Sequence, residues 1–261
     1  MVMKSGDINC LEIGQSFVER CEEITHLDEL ELVFRQVTET MRFRHFACVS
    51  HVDPLNPPES AIVIHNYPSS WMKYFSSNRL DRIDPVFQYA SRTAQPFFWE
   101  DDDFLAGLSE RQRAIMAKAR AAGLSRGFTV PIHSPGALPA SCTVIPECGN
   151  EADPLSFLAV YLMAIHMHET ASRIVNPRFA ALRSRPKLTP QERRCLKYVA
   201  QGKSDWAIAQ ILGLSPSTVH HHVESAKRRL GTATRVQAVV EALYGNQLSF
   251  HDVVGILVAK R

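Results

Sequence analysis

The 261-residue sequence contains no apolar run near the roughly 18 residues that a membrane span requires. Its most apolar stretch, Leu155 to Ile165, is too short and reads as a buried helix. The first residues offer one lysine, Lys4, then Gly6 and Asp7, with no apolar h-region, so a secretory signal is not expected. The six cysteines (Cys10, Cys21, Cys48, Cys142, Cys148 and Cys195) form no CxxC pair and no zinc-ligand spacing. They read as free thiols of a cytoplasmic protein. The sequence is read as lacking a G-x-S-x-G, a P-loop and an H-E-x-x-H motif, and no enzyme is expected. The alternating strands and helices of a receiver domain are lacking, so Asp101-Asp102-Asp103 is not read as a phosphorylation site.

What is present is an ordinary globular composition, 45% apolar and 21% charged, which argues against wholesale disorder. The net charge of +2 hides an asymmetry. Residues 1–180 hold 16 Lys and Arg against 22 Asp and Glu (net −6), while residues 181–261 hold 13 against 5 (net +8). A basic segment behind an acidic one points to a nucleic-acid-binding module attached to something else.

Helical periodicity runs from Ile13 to Arg42, with Ile13, Phe17 and Cys21 and then Leu30, Val33, Phe34 and Val37 sharing a face. Phe46–Val52 and Ala61–Ile64 read as strands around a turn with Pro54, Pro57 and Pro58. Helices are expected from Pro68, after Asp84-Pro85, over Glu110–Ala122, and from Asp153-Pro154 to about Ile174. Phe128–Ile132 and Cys142–Ile145 read as further strands. The order predicts an α+β chain whose N-terminal part is an α/β/α sandwich around an antiparallel sheet. The run from Asn176 to Lys187, with two prolines and the basic residues Arg178, Arg183, Arg185 and Lys187, reads as a linker. The expected division is 1–175, linker 176–187, and 188–261.

The last third is the most informative. Thr189-Pro190-Gln191-Glu192 has the capping-box spacing with proline at the first helical position. That helix should stop at Gly202. Ser204 caps a second, ended by Gly213; Ser215 caps a third, running from Pro216 to Leu230; Thr234-Arg235-Val236-Gln237 opens a fourth. Four short helices with a tight Gly213-Leu214-Ser215 turn suit a four-helix helix-turn-helix domain. Val219, Val223, Ala226 and Leu230 form the inward face of the third, and its N-terminus offers free N–H groups to a phosphate. His220, His221 and His222 lie about 100° apart in sequence on a helix and cannot converge on one metal ion, so no metal site is expected.

Residues 188–249 resemble the DNA-binding domain of LuxR-type transcription regulators. The resemblance rests on Leu188-Thr189, Glu192, Leu196, Gly202-Lys203-Ser204, Ile208-Ala209, Leu212, Ser215, Thr218-Val219, His222, Leu230, Arg235 and Ala238. It implies that Lys203, Ser204, Ser217, Thr218 and Lys227 grip the DNA backbone. It places His220, His221 and Glu224 where the family reads bases, with Arg228 on the same outward face. An acidic residue at Glu224, where relatives often carry a basic one, would favour accepting from a cytosine amino group.

In the N-terminal part, Tyr67, Trp71 and Phe75 are spaced by four and share a face. Asp84-Pro85 and Phe97-Phe98-Trp99 follow. One carboxylate among aromatics suits a small amphiphilic ligand, although an aromatic stripe is commonly core and Asp before Pro is commonly a helix cap. Tyr67-x3-Trp71, Asp84-Pro85, Trp99 and Gly127-x-Thr129-x-Pro131 resemble the acyl-homoserine-lactone-binding domain of quorum-sensing LuxR-type receptors. The resemblance implies that Trp71 donates to a lactone carbonyl, Asp84 accepts from the ligand amide, Tyr67 donates to the acyl carbonyl and Trp99 packs on the ring. Thr129 and the Ser141–Cys142 pair fall near pocket-lining strand positions. Phe75 stands where relatives commonly have tyrosine. The implied protein is a ligand-responsive transcription regulator: a homodimer on palindromic double-stranded DNA, without a cofactor, meeting RNA polymerase if it activates. The alternative is a solo regulator of the same type that answers a non-lactone molecule or no ligand.

Overall fold

The structure, a computed structural model, describes residues 9–134, 137–149, 152–176, 186–250 and 253. The chain divides into two compact units, Met1–Pro177 and Arg178–Arg261. Most of the expected linker lies outside the described residues.

The first unit contains α1 (Cys10–Cys21), α2 (Leu27–Thr40), β1 (Phe43–Ser50), β2 (Val63–His65), α3 (Ser69–Ser77), α4 (Pro85–Ala90), β3 (Phe97–Phe98), α5 (Asp102–Ala106), α6 (Glu110–Ala121), β4 (Phe128–Ile132), β5 (Ala140–Pro146) and α7 (Pro154–Val175). A 3₁₀ turn at Leu80–Arg82 precedes α4. The five strands lie in the order β2-β1-β5-β4-β3, and each neighbouring pair is antiparallel.

Successive residues of a strand point to opposite faces. On one face Phe46, Cys48, Ile64, Val130, Cys142 and Val144 join buried residues of α1, α2 and α7 in a single core. Gly14 of α1 lets α7 approach closely, since a Cβ there would lie 3.2 Å from the Ala159 methyl. On the other face Ile145 packs with Trp71, Phe75, Val86, Trp99 and Ile115, contributed by α3, α4, α6 and the β3 region. The sheet is thus covered on both sides, which is the expected α/β/α arrangement. It also explains why β4 and β5 read as nearly continuous buried runs without alternation.

The periodic stretch Ile13–Arg42 is broken into two helices. At the break the backbone carbonyls of Cys21 and Ile24 accept from the Arg173 guanidinium at 2.8 and 3.1 Å. Contacts from α7 supply partners for the carbonyls that the end of α1 leaves free. The short β3 and α5, and the 3₁₀ turn, have too few residues for a periodic signal and are additions to the sequence reading.

The second unit contains α8 (Pro190–Ala200), α9 (Asp205–Leu212), α10 (Pro216–Leu230) and α11 (Arg235–Tyr244). Thr189 and Thr234 each make the reciprocal capping box, while Ser204 and Ser215 cap α9 and α10. Gly213, at φ +67°, takes the left-handed conformation that the turn between α9 and α10 requires. Leu196, Ile208, Val219, Val223, Ala226, Leu230 and Ala238 form its core.

Candidate ligand cavity and nucleic-acid interface

A cavity opens between the sheet and α3, α4 and α6. Its lining includes Tyr67, Trp71, Phe75, Asp84, Trp99 and Ser141. The non-atom space, counted out through its open mouth, is ≈ 850 Å³. Apolar side chains dominate the walls: Val49, Val52, Val63, Met72, Val86, Phe87, Ile115 and Met116 join the aromatics.

The polar groups form a connected set. The Trp99 indole N–H donates to Thr129 Oγ1 at 2.9 Å, and Thr129 Oγ1 lies 2.9 Å from Thr143 Oγ1. Thr143 in turn stands beside the Tyr67 hydroxyl. Burial, reinforced by the nearby Asp84 charge, pushes the Tyr67 phenol well above its usual range, so it stays protonated and able to donate. Asp84 does two jobs. Its Oδ1 accepts from the Phe87 N–H at 2.9 Å as the cap of α4, and the same carboxylate lines the cavity. Burial raises its pKa to about 6, against the opposing pull of the Phe87 and Val86 N–H groups. The Asp84 carboxylate thus caps α4 and lines the cavity at once.

Ser141 is held from behind. Its hydroxyl lies 2.8 Å from His51 Nε2, and the His51 ring stacks on Phe87 with centroids 4.1 Å apart. Burial, helped by the nearby His133, lowers His51 to about 4, so the imidazole is neutral at physiological pH.

Two of the expected ligand residues stand apart. Thr129 is fully buried but lies behind Trp99, which it holds. Cys142 faces away: it pairs with Cys48 and Val130 across the sheet and belongs to the opposite core. The residue two positions from Ser141 on the same face is Thr143, which lines the cavity and which the sequence reading passed over. The period-two rule applied to Ser141 points to Thr143.

Gly123-Leu124-Ser125-Arg126-Gly127 has G-x-S-x-G spacing, which corrects the expectation that this motif is absent. It leads from α6 into β4, helix to strand, the reverse of the strand-to-helix turn that exposes a nucleophile. Gly127 has another use. A Cβ there would lie 2.5 Å from the Trp99 indole, so only glycine lets this ring pack against the strand.

In the second unit α10 buries Val219, Val223, Ala226 and Leu230 and leaves Ser217, His220, His221 and Arg228 exposed, with Thr218, Glu224 and Lys227 half-buried. Ser215 Oγ caps the Thr218 N–H at 3.1 Å and lies 2.8 Å from the hydroxyls of Ser217 and Thr218. Lys203 and Ser204 are exposed before α9. Lys227 Nζ donates to both Glu224 carboxylate oxygens, at 2.8 and 3.0 Å. This pair directs the ammonium along the helix, and Lys227 holds Glu224 below the usual carboxylate range. Arg228 donates to Ser225 Oγ at 3.1 Å.

The sequence reading missed an ionic bracket in this unit. Asp205 on α9 accepts from His220 Nδ1 at 3.2 Å and lies 3.1 Å from the Arg235 guanidinium of α11. Arg229 is turned inward and pairs with the buried Glu192 at 3.0 Å. Burial works to raise Glu192, but the Thr189 N–H and Arg229 outweigh it and hold the carboxyl below its usual value. Among the described residues no three His, Cys, Asp or Glu side chains are grouped as metal ligands would be.

A sheet-backed cavity in one unit and a capped helix-turn-helix in the other match the architecture of a DNA-binding regulator with a ligand-binding domain. Comparison with known proteins agrees. The autoinducer binding domain family matches residues 27–171, and the family of bacterial regulatory proteins, luxR family, matches residues 186–242. The transcriptional activator protein BjaR1 of Bradyrhizobium diazoefficiens is 30% identical over 182 residues, 70% of this chain and 74% of its own. The transcriptional activator protein VanR of Vibrio anguillarum is 28% identical over 238 residues, 89% of this chain and 96% of its own. The structure of SdiA in complex with octanoyl-rac-glycerol shares the fold, with a TM-score of 0.59 at 20% identity over 92% of this chain and 97% of that one. The chain belongs to the LuxR family of transcription regulators, with an autoinducer-binding domain ahead of its helix-turn-helix.

Proposed function

We propose that the autoinducer is an N-acyl-homoserine lactone and that it gates binding of a cytoplasmic homodimer to a palindromic promoter site. The observation that carries this reading is the meeting of Tyr67, Trp71 and Asp84 in one largely apolar cavity. A lactone ring, an amide and an alkyl chain need, in order, a donor, a donor–acceptor pair and an apolar wall. In this reading Trp71 donates to the ring carbonyl, Asp84 accepts from the amide N–H, and Tyr67 donates to the acyl carbonyl. Trp99 and Phe75 pack on the ligand, Ser141 adds a hydroxyl, and Thr129 fixes the Trp99 ring. Each buried methylene adds about 0.8 kcal/mol.

Residues 1–175 are proposed as the ligand-binding and dimerising part, 176–187 as the linker, and 188–261 as the DNA-binding part. Support for a dimer comes from α7, where Leu155, Leu158, Leu162 and Ile165 are all exposed at spacings of three, four and three. That is the seam by which two helices pack. A two-fold dimer presents two copies of α10, which suits an inverted repeat with half-sites about one turn, or a multiple of one, apart. Lys203, Ser204, Ser217, Thr218 and Lys227 would hold phosphates, and His220, His221, Glu224 and Arg228 would face base edges. An activator would also touch RNA polymerase.

The test is selection from random duplex DNA by the purified protein with and without lactone. The proposal expects lactone-dependent recovery of an inverted repeat. Recovery of the same repeat regardless of lactone would support instead a regulator that answers another molecule or none, a reading that Phe75 favours because it lacks the hydroxyl common at that position.

A further inference from the structure

On the outward side of α10 one histidine is held by the neighbouring helix. Asp205 opens α9, and His220 lies in the second turn of α10. His220 Nδ1 and Asp205 Oδ2 are 3.2 Å apart. Asp205 is itself fixed. The Arg235 guanidinium stands 3.1 Å from its other oxygen, and it also donates to the Lys203 carbonyl at 3.0 Å, which pins the chain just before α9. The other carboxylate that acts on His220 is Glu224, one turn along α10, and Lys227 engages both its oxygens. The pair thus has an anchored side and a free side: the Asp205 side chain is 24% exposed, the His220 side chain 65%.

An exposed pair of this kind adds little to stability. Its effect is on direction. A carboxylate has no hydrogen to give, so the contact needs one on Nδ1. In the neutral ring Nε2 is then an acceptor, at the end of the ring away from the helix backbone. A ring free to turn would offer either nitrogen in either role. In the major groove an acceptor finds a partner in the N4 amino group of cytosine or the N6 amino group of adenine, whereas guanine and thymine offer acceptors of their own.

We propose that Asp205 is a positioning residue for base reading: it fixes the His220 imidazole so that Nε2 accepts from the amino group of a cytosine or an adenine. One position of the operator then depends on Asp205, which acts through the ring and not on the base itself. The proposal rests on the reading of α10 as the helix that meets base edges, with His220 among its contacts.

The experiment selects sites from random duplex DNA with the full chain at pH 8, where an ordinary imidazole is neutral, in the presence of mixed N-acyl-homoserine lactones. It compares wild type with His220→Ala, Asp205→Ala and the double variant. Wild type is expected to favour cytosine or adenine about tenfold at one position of each half-site, about the worth of one hydrogen bond, and the base recovered says which amino group is read. His220→Ala loses the preference at that position alone. Asp205→Ala loses it there too, and the double variant loses no more, while the other positions keep theirs. A merely structural role for Asp205 would weaken every position or none. Should alanine impair folding, Asp205→Asn keeps the shape; its amide can pair with either tautomer, so the preference falls there as well. A preference that survives both Asp205 variants, a motif indifferent to His220→Ala, or guanine or thymine at the His220 position overturns the proposal and leaves α10 as the reading helix. Recovery of no motif by wild type removes that reading, and the proposal with it.

Discussion

The Trp99 indole N–H donates to the Thr129 hydroxyl at 2.9 Å, and the ring lies flat against Gly127, where no side chain could stand. This contact links the loop after β3 to β4 and sets one wall of the cavity. The Thr129 hydroxyl in turn lies 2.9 Å from that of Thr143, so the aromatic wall is tied to the neighbouring strand.

Thr129→Val keeps the shape and removes the acceptor. The buried indole N–H is then unpaired, which costs about 1–3 kcal/mol. Urea denaturation of the variant should show that loss. Gly127→Ala should be at least as damaging, because the indole must move out of the cavity wall. A Thr129→Val protein as stable as wild type would show that the network does not hold Trp99.

Asp84 makes ligand binding pH-dependent in a stated direction. Its pKa of about 6 in the free protein lies above its ordinary 3.8. Folding alone therefore favours the protonated form, and this group's contribution to stability declines as pH rises from about 3.8 through about 6. A ligand amide N–H needs the ionised carboxylate as acceptor. Lactone affinity should rise as pH increases from 5 to 7, by up to about tenfold per unit below the pKa. Isothermal titration at three pH values checks the sign, and affinity that falls over that range contradicts the assigned role.

His168 in α7 is buried, and among the described residues neither ring nitrogen has a partner. Burial lowers it to about 4 from 6.5. The unfolded chain takes up a proton near 6.5, so stability is lost as pH falls from there toward 4. At pH 5 the cost is about 2 kcal/mol. His168→Met should narrow the gap between melting temperatures at pH 7 and pH 5. His51, also near 4, supplies a similar slope that this variant leaves in place.

In the DNA-binding unit, Glu192 serves both the Thr189 capping box and Arg229. Glu192→Ala breaks both and leaves the Arg229 guanidinium without its carboxylate. Because Arg229 is partly exposed, the expected loss is about 2 kcal/mol, below the figure for a fully buried pair. Chemical denaturation read by far-UV circular dichroism checks it. An unchanged midpoint would mean that the pair contributes nothing net.

The two parts of the chain were unequally legible in the sequence. The helix-turn-helix could be read almost residue by residue, because Thr189, Ser204, Ser215 and Thr234 are local caps and Gly213 is a local stop. Such signals act within four residues. The layers of the sandwich followed from the order of elements, but β3 and α5 were too short to show a period, and the break after Cys21 depends on Arg173, far along the chain. The cavity residues on α3 and just before it, Trp71 and Phe75 with Tyr67, were visible from their spacing. On the sheet, the pairing of Ser141 with Cys142 ignored strand alternation, and Thr143 became visible only once the register joined the strands. The bracket of Asp205 with His220 and Arg235 is likewise tertiary.

The most direct test of the account is the melting temperature of the full chain against a panel of N-acyl-homoserine lactones, with Asp84→Ala alongside. Asp84→Ala loses the α4 cap but also relieves a buried carboxylate, so the ligand-induced shift and not the baseline is what is read. The account predicts a concentration-dependent rise with at least one lactone that is lost in Asp84→Ala. A wild-type protein whose melting temperature no lactone moves, or a variant that keeps the full shift, would contradict it.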